Sequence, residues 1–366
     1  MPLFMDFHKF DNISIEAVKT AHIADIGVQD QYGVKYHQFW VNEAEGTVFC
    51  LMEGPDAASC EKVHQLAHGN VACALSEVAA GMYEKMMGRD VKLDHGHVLN
   101  ADGSPDNGYR NILVASVYGV TVAKNSEDLS LLLTPHWARE IIAEKIKSFD
   151  GRIMKWEADD SLIGILNEST LAVQCALQIQ EALTKNIKQQ SPAIVFKIGV
   201  SVSQPLTKDG DFFNEAIKLA HRLSTTVQDN QVLTSAMVKR LCRDEKLFNH
   251  GNHIRPLSVS EEEFITKLLG ITEANLSEQD FHLDNLSSGI CVSRPQLYRK
   301  VKALTGRSPN DFVTDLRMSK ALVLLKQKKA NITEIAFQTG FNSPSYFTKC
   351  FVEKFGCKPS LLTKLV

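Results

Sequence analysis

Ile332-Thr333-Glu334-Ile335-Ala336-Phe337-Gln338-Thr339-Gly340-Phe341, followed by Ser343-Pro344-Ser345-Tyr346-Phe347-Thr348-Lys349-Cys350-Phe351, reads as a short helix, a tight turn at Gly340, and a second helix opening on Ser343. About fifty residues upstream the pattern occurs once before. There Leu283-Asp284-Asn285-Leu286-Ser287-Ser288-Gly289-Ile290-Cys291 leads through Val292 into Ser293-Arg294-Pro295-Gln296-Leu297-Tyr298-Arg299-Lys300-Val301. In both copies a serine stands where a side-chain oxygen can accept from the orphan amides of the second helix. A proline follows within two places, where no backbone donor is needed. A helix-turn-helix unit of this kind lays its second helix in a DNA major groove. Two units in one chain can read two successive grooves without a dimer.

Between the two copies, Gly306 ends one helix and Pro309 opens another over residues 309–327. Phe312, Leu316, Ala321, Leu322 and Leu325 are expected inward, and Arg317, Lys320 and Lys326 outward. Such a rod would set the two reading helices about one DNA turn, roughly 34 Å, apart. In the first unit Ser293, Arg294, Gln296, Arg299 and Lys300 are the candidate DNA contacts, with Leu297 and Val301 in the core. Arg294 and Gln296 suit base reading, because Arg pairs with guanine and Gln with adenine through two hydrogen bonds. Tyr298, Arg299 and Lys302 suit phosphate. In the second unit the candidates are Asn342, Ser345, Tyr346 and Lys349, with Ser343 foremost a cap and Phe347 and Phe351 in the core.

Charge follows the same division. The chain of 366 residues carries a net charge of −3, yet residues 275–366 hold 14 Lys and Arg against 7 Asp and Glu. The rest of the chain is acidic, with 26 against 36. A basic module on an acidic body suits phosphate binding, since Lys and Arg displace condensed counterions. No run of eighteen uncharged apolar residues occurs, so no membrane-spanning helix is expected. The N-terminus has no secretion-signal core. The 8 Cys form no CxxC pair, and reduced thiols in a cytoplasm are the simplest expectation.

The C-terminal region closely resembles the AraC/XylS family of transcription regulators over residues 276–362. The residues that carry this are Gly306-Arg307-Ser308-Pro309, Leu316-Arg317-Met318-Ser319-Lys320-Ala321, Ile335-Ala336-Phe337-Gln338-Thr339-Gly340-Phe341, Ser345-Tyr346-Phe347 and Phe355-Gly356-Cys357-Lys358-Pro359. The resemblance implies a seven-helix DNA-binding domain, promoter DNA as partner, and RNA polymerase as a further one.

Residues 1–87 read as β-α-β-β-α-β, the ferredoxin-like order. Strands are expected over 3–8, 34–42, 47–53 and 72–78. Helices are expected over 14–32, with Ala17, Val18, Ala21 and Ala24 on one face, and over 56–69. Five of the 12 His lie here: His8, His22, His37, His64 and His68. His64 and His68 stand four apart and share a helix face, a spacing that can chelate a divalent metal. His22 lies on the first helix and His8 at the end of the first strand, elements that can converge on one side of a ferredoxin-like fold. Imidazole suits nickel, copper or zinc, so His8, His22, His64 and His68 are the candidate ligands and His37 the bystander. The bland alternative is a set of hydrogen-bonded histidines on an acidic face. Met5-Asp6-x-His8, Ala21-His22-x-x-Asp25, Gln29-Asp30-x-x-Gly33-Val34, Val48-Phe49-Cys50-Leu51 and His64-x-x-Ala67-His68-Gly69 resemble a small bacterial family of ferredoxin-like domains, some associated with nickel. A divalent transition metal such as nickel is what that resemblance implies as cofactor.

Residues 88–108 read as a polar linker, and 245–275 as a second, acidic one with a helix over 260–269. Between them, residues 109–244 alternate strands and helices. Ile112-Leu113-Val114-Ala115-Ser116-Val117-Tyr118-Gly119, Ala158-Asp159-Asp160-Ser161, Lys197-Ile198-Gly199-Val200-Ser201 and Phe212-Phe213-Asn214-Glu215-Ala216 with Leu219-Ala220-His221-Arg222-Leu223 resemble the class III nucleotide cyclase domain. In that family two carboxylates hold two metal ions on the triphosphate. The first falls here on Ser116, the second on Asp159. The transition-state Asn falls on Lys218, and its neighbouring Arg on Arg222. Asp159 and Arg222 are therefore candidate relics of a nucleotide site, and no catalytic residue is expected. Asp159 and Asp160 can equally be the turn of a hairpin.

The expectation is thus an α+β multidomain chain. A ferredoxin-like sensor occupies residues 1–87, a cyclase-like α/β domain 109–244, and an all-α tandem helix-turn-helix domain 275–366. It would be a cytoplasmic, ligand-responsive DNA-binding transcription regulator, not an enzyme, and a homodimer through the middle domain. The alternative is a nucleotide-cyclising enzyme with an accessory DNA-binding module.

Overall fold

The computed structural model describes residues 1–89, 91–119, 136–156, 161–190, 194–249 and 251–365. The chain divides into two compact units. One comprises Met1–Ile112, Ile165–Ser169 and Val202–Lys218; the other comprises Leu113–Gly164, Thr170–Ser201 and Leu219–Val366.

The first unit starts with β1 (Leu3–Lys9), α1 (Ile15–Val28), β2 (Lys35–Asn42), β3 (Thr47–Glu53), α2 (Ala57–Ala67) and β4 (Ala74–Glu77). Its sheet runs β4-β1-β3-β2, with every one of these neighbours antiparallel, as a ferredoxin-like sheet does. Ser14 caps α1 and Asp56 caps α2, each accepting from a backbone amide of the first turn. The core gathers Phe4, Val18, Tyr36, Phe39, Val48, Cys60 and Val63.

Residues 88–108 are not a linker. After α3 (Ala80–Met87), the strands β5 (Lys92–Asp94) and β6 (His97–Leu99) extend the sheet, β6 pairing parallel to β2. The Gly-rich composition of this stretch reflects tight turns, with Gly96, Gly103 and Gly108 all at positive φ. The face of α1 also differs from expectation. Val18, His22 and Asp25 are buried while Ala17 is exposed. An inward stripe bearing two polar side chains has to provide partners for them.

The second sheet runs β12-β11-β10-β7-β9-β8. Its strands are β7 (Arg110–Gly119), β8 (Arg152–Trp156), β9 (Ser161–Leu166), β10 (Ile194–Ser203), β11 (Gln231–Thr234) and β12 (Ile254–Pro256). The helices α4 (His136–Ser148), α5 (Ser169–Gln190), α6 (Asn214–Thr226) and α7 (Ala236–Leu241) alternate with them. β10, β11 and β12 are parallel, as crossover helices require. At Gly199 a Cβ would lie 2.2 Å from the Ala220 carbonyl oxygen, so α6 can approach β10 only over a glycine. Residues 120–135 of the alternating stretch lie outside the described residues, as do Asp159 and Asp160.

Seven helices complete the second unit: α8 (Val259–Asn275), α9 (Leu283–Ile290), α10 (Arg294–Thr305), α11 (Pro309–Gln327), α12 (Ile332–Gln338), α13 (Pro344–Phe355) and α14 (Pro359–Leu365). Segment 245–275, read as a linker, contributes β12 and the whole of α8. Phe264, Ile265 and Leu268 of α8 share a core with Leu286, Leu297, Val301, Phe312 and Val313. Leu223, Val227 and Leu233 belong to that same core. Met318, Ala321, Leu322 and Leu325 lie in a second core, with Ile335, Phe347, Phe351 and Phe355. α11 therefore belongs to both cores, one at each end. Among the described residues no helix is long and apolar enough to cross a membrane.

The turn of the first helix-turn-helix unit is closed by Cys291 at φ 61, in the left-handed region. A residue with a Cβ is disfavoured there by about 1–2 kcal/mol. Cys291 is exposed, so removing its thiol sacrifices little packing. Cys291→Gly should raise stability by about 1 kcal/mol, read as a higher urea midpoint. An unchanged or lower midpoint would mean that the thiol contributes more than the backbone strain.

Candidate metal centre and nucleic-acid interface

Asp6 on β1 is fully buried. One carboxylate oxygen accepts from the Cys50 amide at 2.8 Å. The other lies 2.5 Å from His64 Nε2 and 3.2 Å from His8 Nε2. On the opposite edge of His64, Nδ1 is 3.1 Å from Asp25 Oδ1 on α1. Asp25 is also 3.2 Å from His68 Nε2. His68 Nδ1 accepts from the Asn70 amide. His64 is thus held between two buried carboxylates, one on each ring nitrogen.

Burial alone would strip the proton from His64. The charge of Asp6 and the hydrogen bonds to Asp25 and Asp6 prevail, and its pKa is pushed up to about 10. Burial works against Asp6 as well, yet His8 and His64 hold its carboxyl well below the usual carboxylate range. Asp25 is lowered too, against its own burial, by His64 and His68. His22 is lowered by burial, and the Cys50 thiol is pushed up by burial and by Asp6.

His8, His22, Asp25, Cys50, His64 and His68 all line one cavity of about 140 Å³. The four histidines singled out from the sequence are therefore brought together. Asp6, His8, Cys50 and His64 offer ligand atoms all within 4.8 Å of one another, and so do Asp25, His64 and His68. His22 stands outside both groups, against the β5–β6 turn: a Cβ on Gly96 would lie 2.4 Å from its Nε2. Among the described residues, His8 Nδ1 and His22 Nδ1 are buried with no hydrogen-bond partner. Imidazole, carboxylate and thiol donors with unpaired ring nitrogens fit a divalent transition ion. His37 is elsewhere, 3.5 Å from Glu53. Sequence reasoning missed Asp6, Asp25 and Cys50 as members of the cluster. The available signal was His22-x-x-Asp25, two polar residues on one buried helix face.

In the helix-turn-helix region, Ser293 caps α10. Gln296 turns back on that cap, its Oε1 accepting from the Ser293 amide at 3.0 Å. Arg294 is exposed and forks onto Asp284 of α9 through two hydrogen bonds. Arg299 and Lys300 are exposed, and Lys300 Nζ sits 4.9 Å from the centre of the Phe264 ring. In the second unit Ser343 caps α13 by accepting from the Tyr346 amide. Asn342, Ser345, Tyr346 and Lys349 are at least partly exposed; Lys349 is 3.9 Å from Glu353. Leu297, Val301, Phe347 and Phe351 are buried.

Arg317, expected outward, is half buried and donates to the carbonyls of Leu276 and Glu278 at the end of α8. Gly340, at φ 78, packs directly beneath it. A Cβ there would lie 2.8 Å from the guanidinium and 2.4 Å from the Leu276 carbonyl. Of the cyclase-like positions, Ser116 is buried, Lys218 lies 2.7 Å from Glu215, and Arg222 is 2.8 Å from Glu273 on α8.

Residues 286–364 match a family model described as a helix-turn-helix domain, and residues 4–78 one described as nickel responsive protein SCO4226-like. The HTH-type transcriptional regulator GbdR of Pseudomonas aeruginosa is 34% identical over 129 residues, which are 34% of this chain and 35% of its own. The chain spans as little as 8% of another curated relative. The crystal structure of SCO4226 from Streptomyces coelicolor A3(2) is 38% identical, covering 21% of this chain and 94% of that one, with a TM-score of 0.20. An adenylate/guanylate cyclase/hydrolase from Silicibacter pomeroyi is 24% identical, covering 36% of this chain and 78% of that one, with a TM-score of 0.30. By these matches residues 4–78 are similar to the nickel responsive SCO4226-like proteins and residues 286–364 to the helix-turn-helix domains of transcription regulators.

Proposed function

We propose that this protein is a sequence-specific DNA-binding transcription regulator of the AraC/XylS type, responsive to a divalent transition metal held by its N-terminal domain. The observation that carries it is α11, one helix of 19 residues whose two ends lie in the cores of two helix-turn-helix units. That shared helix gives two reading helices a fixed spacing, which two grooves of one duplex demand. Promoter DNA is the partner, RNA polymerase a further one. A cytoplasmic homodimer with domains at 1–87, 109–244 and 275–366 is the organisation we infer.

Nickel is the first candidate ion, since the family of residues 4–78 is described as nickel responsive. His8, Cys50, His64, His68 and the carboxylates of Asp6 and Asp25 would hold it. Bound there, a dication would supply the positive charge that these two carboxylates require. The ligands must first give up their protons, so metal competes with protonation of His64. Metal would act on DNA binding only through a difference in affinity between two arrangements of the chain.

Nucleotide cyclisation is not part of this reading. A buried serine replaces a metal-binding carboxylate at 116, and the guanidinium of Arg222 is engaged by Glu273. A hydroxyl is a poor substitute for a charged oxygen ligand of Mg²⁺.

Selection of duplexes from a random pool by the full chain tests the proposal. A recovered consensus bound about a thousandfold more tightly than random DNA is expected. Its affinity should change between NiCl₂ and chelator in the wild type but not in His8→Ala/His68→Ala. A pool that stays random after repeated rounds refutes the regulator; equal affinities with and without nickel refute the metal response.

A further inference from the structure

A second cavity, of about 280 Å³, lies within the second unit, remote in sequence from the histidine cluster. Lys197 of β10 and Asp229, between α6 and β11, form one side of it. Arg307, at the joint of α10 and α11, forms another, and Asp315, Ser319 and Lys354 close it. Val195, Phe312, Leu316 and Phe355 provide apolar wall. The charged groups form one network. Arg307 is 2.7 Å from Asp315 and 3.1 Å from Asp229. Lys354 is 3.2 Å from Asp315, and Lys197 is 3.4 Å from Asp229.

Protein interiors leave few voids larger than a water molecule. A cavity of this size with apolar walls and a few convergent polar groups is the usual form of a small-molecule site. Its charge is unbalanced. Three cations face two carboxylates, and each carboxylate is shared between two of the cations. Lys197 is the least well served: it is 6% exposed and shares Asp229 with Arg307.

We propose that this cavity binds a small monocarboxylate with an apolar body, the carboxylate seated on Lys197 and Arg307 and the body against Phe312, Leu316 and Phe355. One added negative charge neutralises the network. The acid's apolar portion covers wall that would otherwise face water. Burial, with Arg307 adding to it, lowers the Lys197 pKa to about 8, so the protonated amine gains from an anion beside it. The site draws on β10, α11 and α13 together. Its occupancy would therefore set how the second reading helix is held against the connecting helix. Binding itself does not depend on the regulatory reading.

Titration calorimetry of the full chain with 3-phenylpropionate, its uncharged amide 3-phenylpropionamide, and inorganic phosphate tests this. Saturable 1:1 binding of the acid is expected, at least about tenfold weaker for the amide and for Lys197→Met. Ser319→Phe keeps every charge and fills the space; it should abolish binding while leaving the circular dichroism spectrum unchanged. Absence of acid binding overturns the proposal. So does equal binding of acid and amide, binding of phosphate in preference to the acid, or unaltered binding by Ser319→Phe.

Discussion

His64→Leu should cost the metal-free protein about 3–5 kcal/mol of stability. The imidazole carries a proton between two carboxylates that are themselves buried, with Asp6 on one ring nitrogen and Asp25 on the other. Leucine has similar bulk, so packing changes little. What changes is that, among the described residues, Asp25 keeps His68 as its partner, and Asp6 keeps the Cys50 amide and His8 but no protonated imidazole at close range. Removing one partner of a buried charge pair leaves an uncompensated charge, which is why the cost exceeds that of a surface pair. Adding Asp6→Asn to the variant should recover part of the loss, because one of the stranded charges is then gone. Urea unfolding in the presence of a chelator gives the measurement. A loss below about 1 kcal/mol, or no recovery in the double variant, would show that His64 is neutral in the folded chain.

The same cluster fixes a pH window. The ordinary pKa of His64, 6.5, is raised to about 10 by folding. Its stabilisation is complete below pH 6.5 and is lost as pH rises toward 10. Asp6 and Asp25 are depressed from 3.8, so their contribution is present above that value and is lost in acid. The wild type should be most stable between about pH 4 and 6.5. His64→Leu should lose the alkaline decline.

Much of this was legible in the chain, for reasons that differ by region. The tandem units could be read because their signals are local: Ser293 and Ser343 cap, Gly306 and Gly356 terminate, and Pro295 and Pro344 sit in the first turn. The βαββαβ order could be read because strand and helix periods differ. The partners of the histidines were another matter. Asp6 and His64 are 58 positions apart, and Asp25 and His64 are 39 apart. No local pattern joins them; only the fold does. β5 and β6 were lost because three-residue strands between glycines have no period to read. Arg317 was assigned to solvent on charge alone, although the carbonyls at the end of α8 need a donor. Gln296 shows the opposite limit. Its spacing from Ser293 suits a capping box as well as base reading, and in the chain without DNA it closes that box.

Arg294→Ala should weaken binding to a selected site by about 1–3 kcal/mol and relax preference at one base pair. In the free protein the guanidinium is already forked onto the carboxylate of Asp284. Both groups are largely exposed, with side chains 68% and 59% accessible, so this pair contributes little to stability and can open. Reading guanine requires the arginine to exchange one bidentate partner for another. Asp284 then plays a second part, as a negative charge near phosphate that favours leaving the arginine where it is. Asp284→Asn should therefore tighten both specific and random DNA, while Arg294→Ala weakens specific DNA far more than random. Lys349→Ala provides the contrast: as a proposed phosphate contact, its loss should lower affinity for all sequences alike and drop the salt slope by about one. Competition titrations at several salt concentrations with the selected site and a scrambled duplex separate these outcomes. If Arg294→Ala lowers both affinities equally, Arg294 binds phosphate and the base reading of α10 must come from Arg299 or a released Gln296.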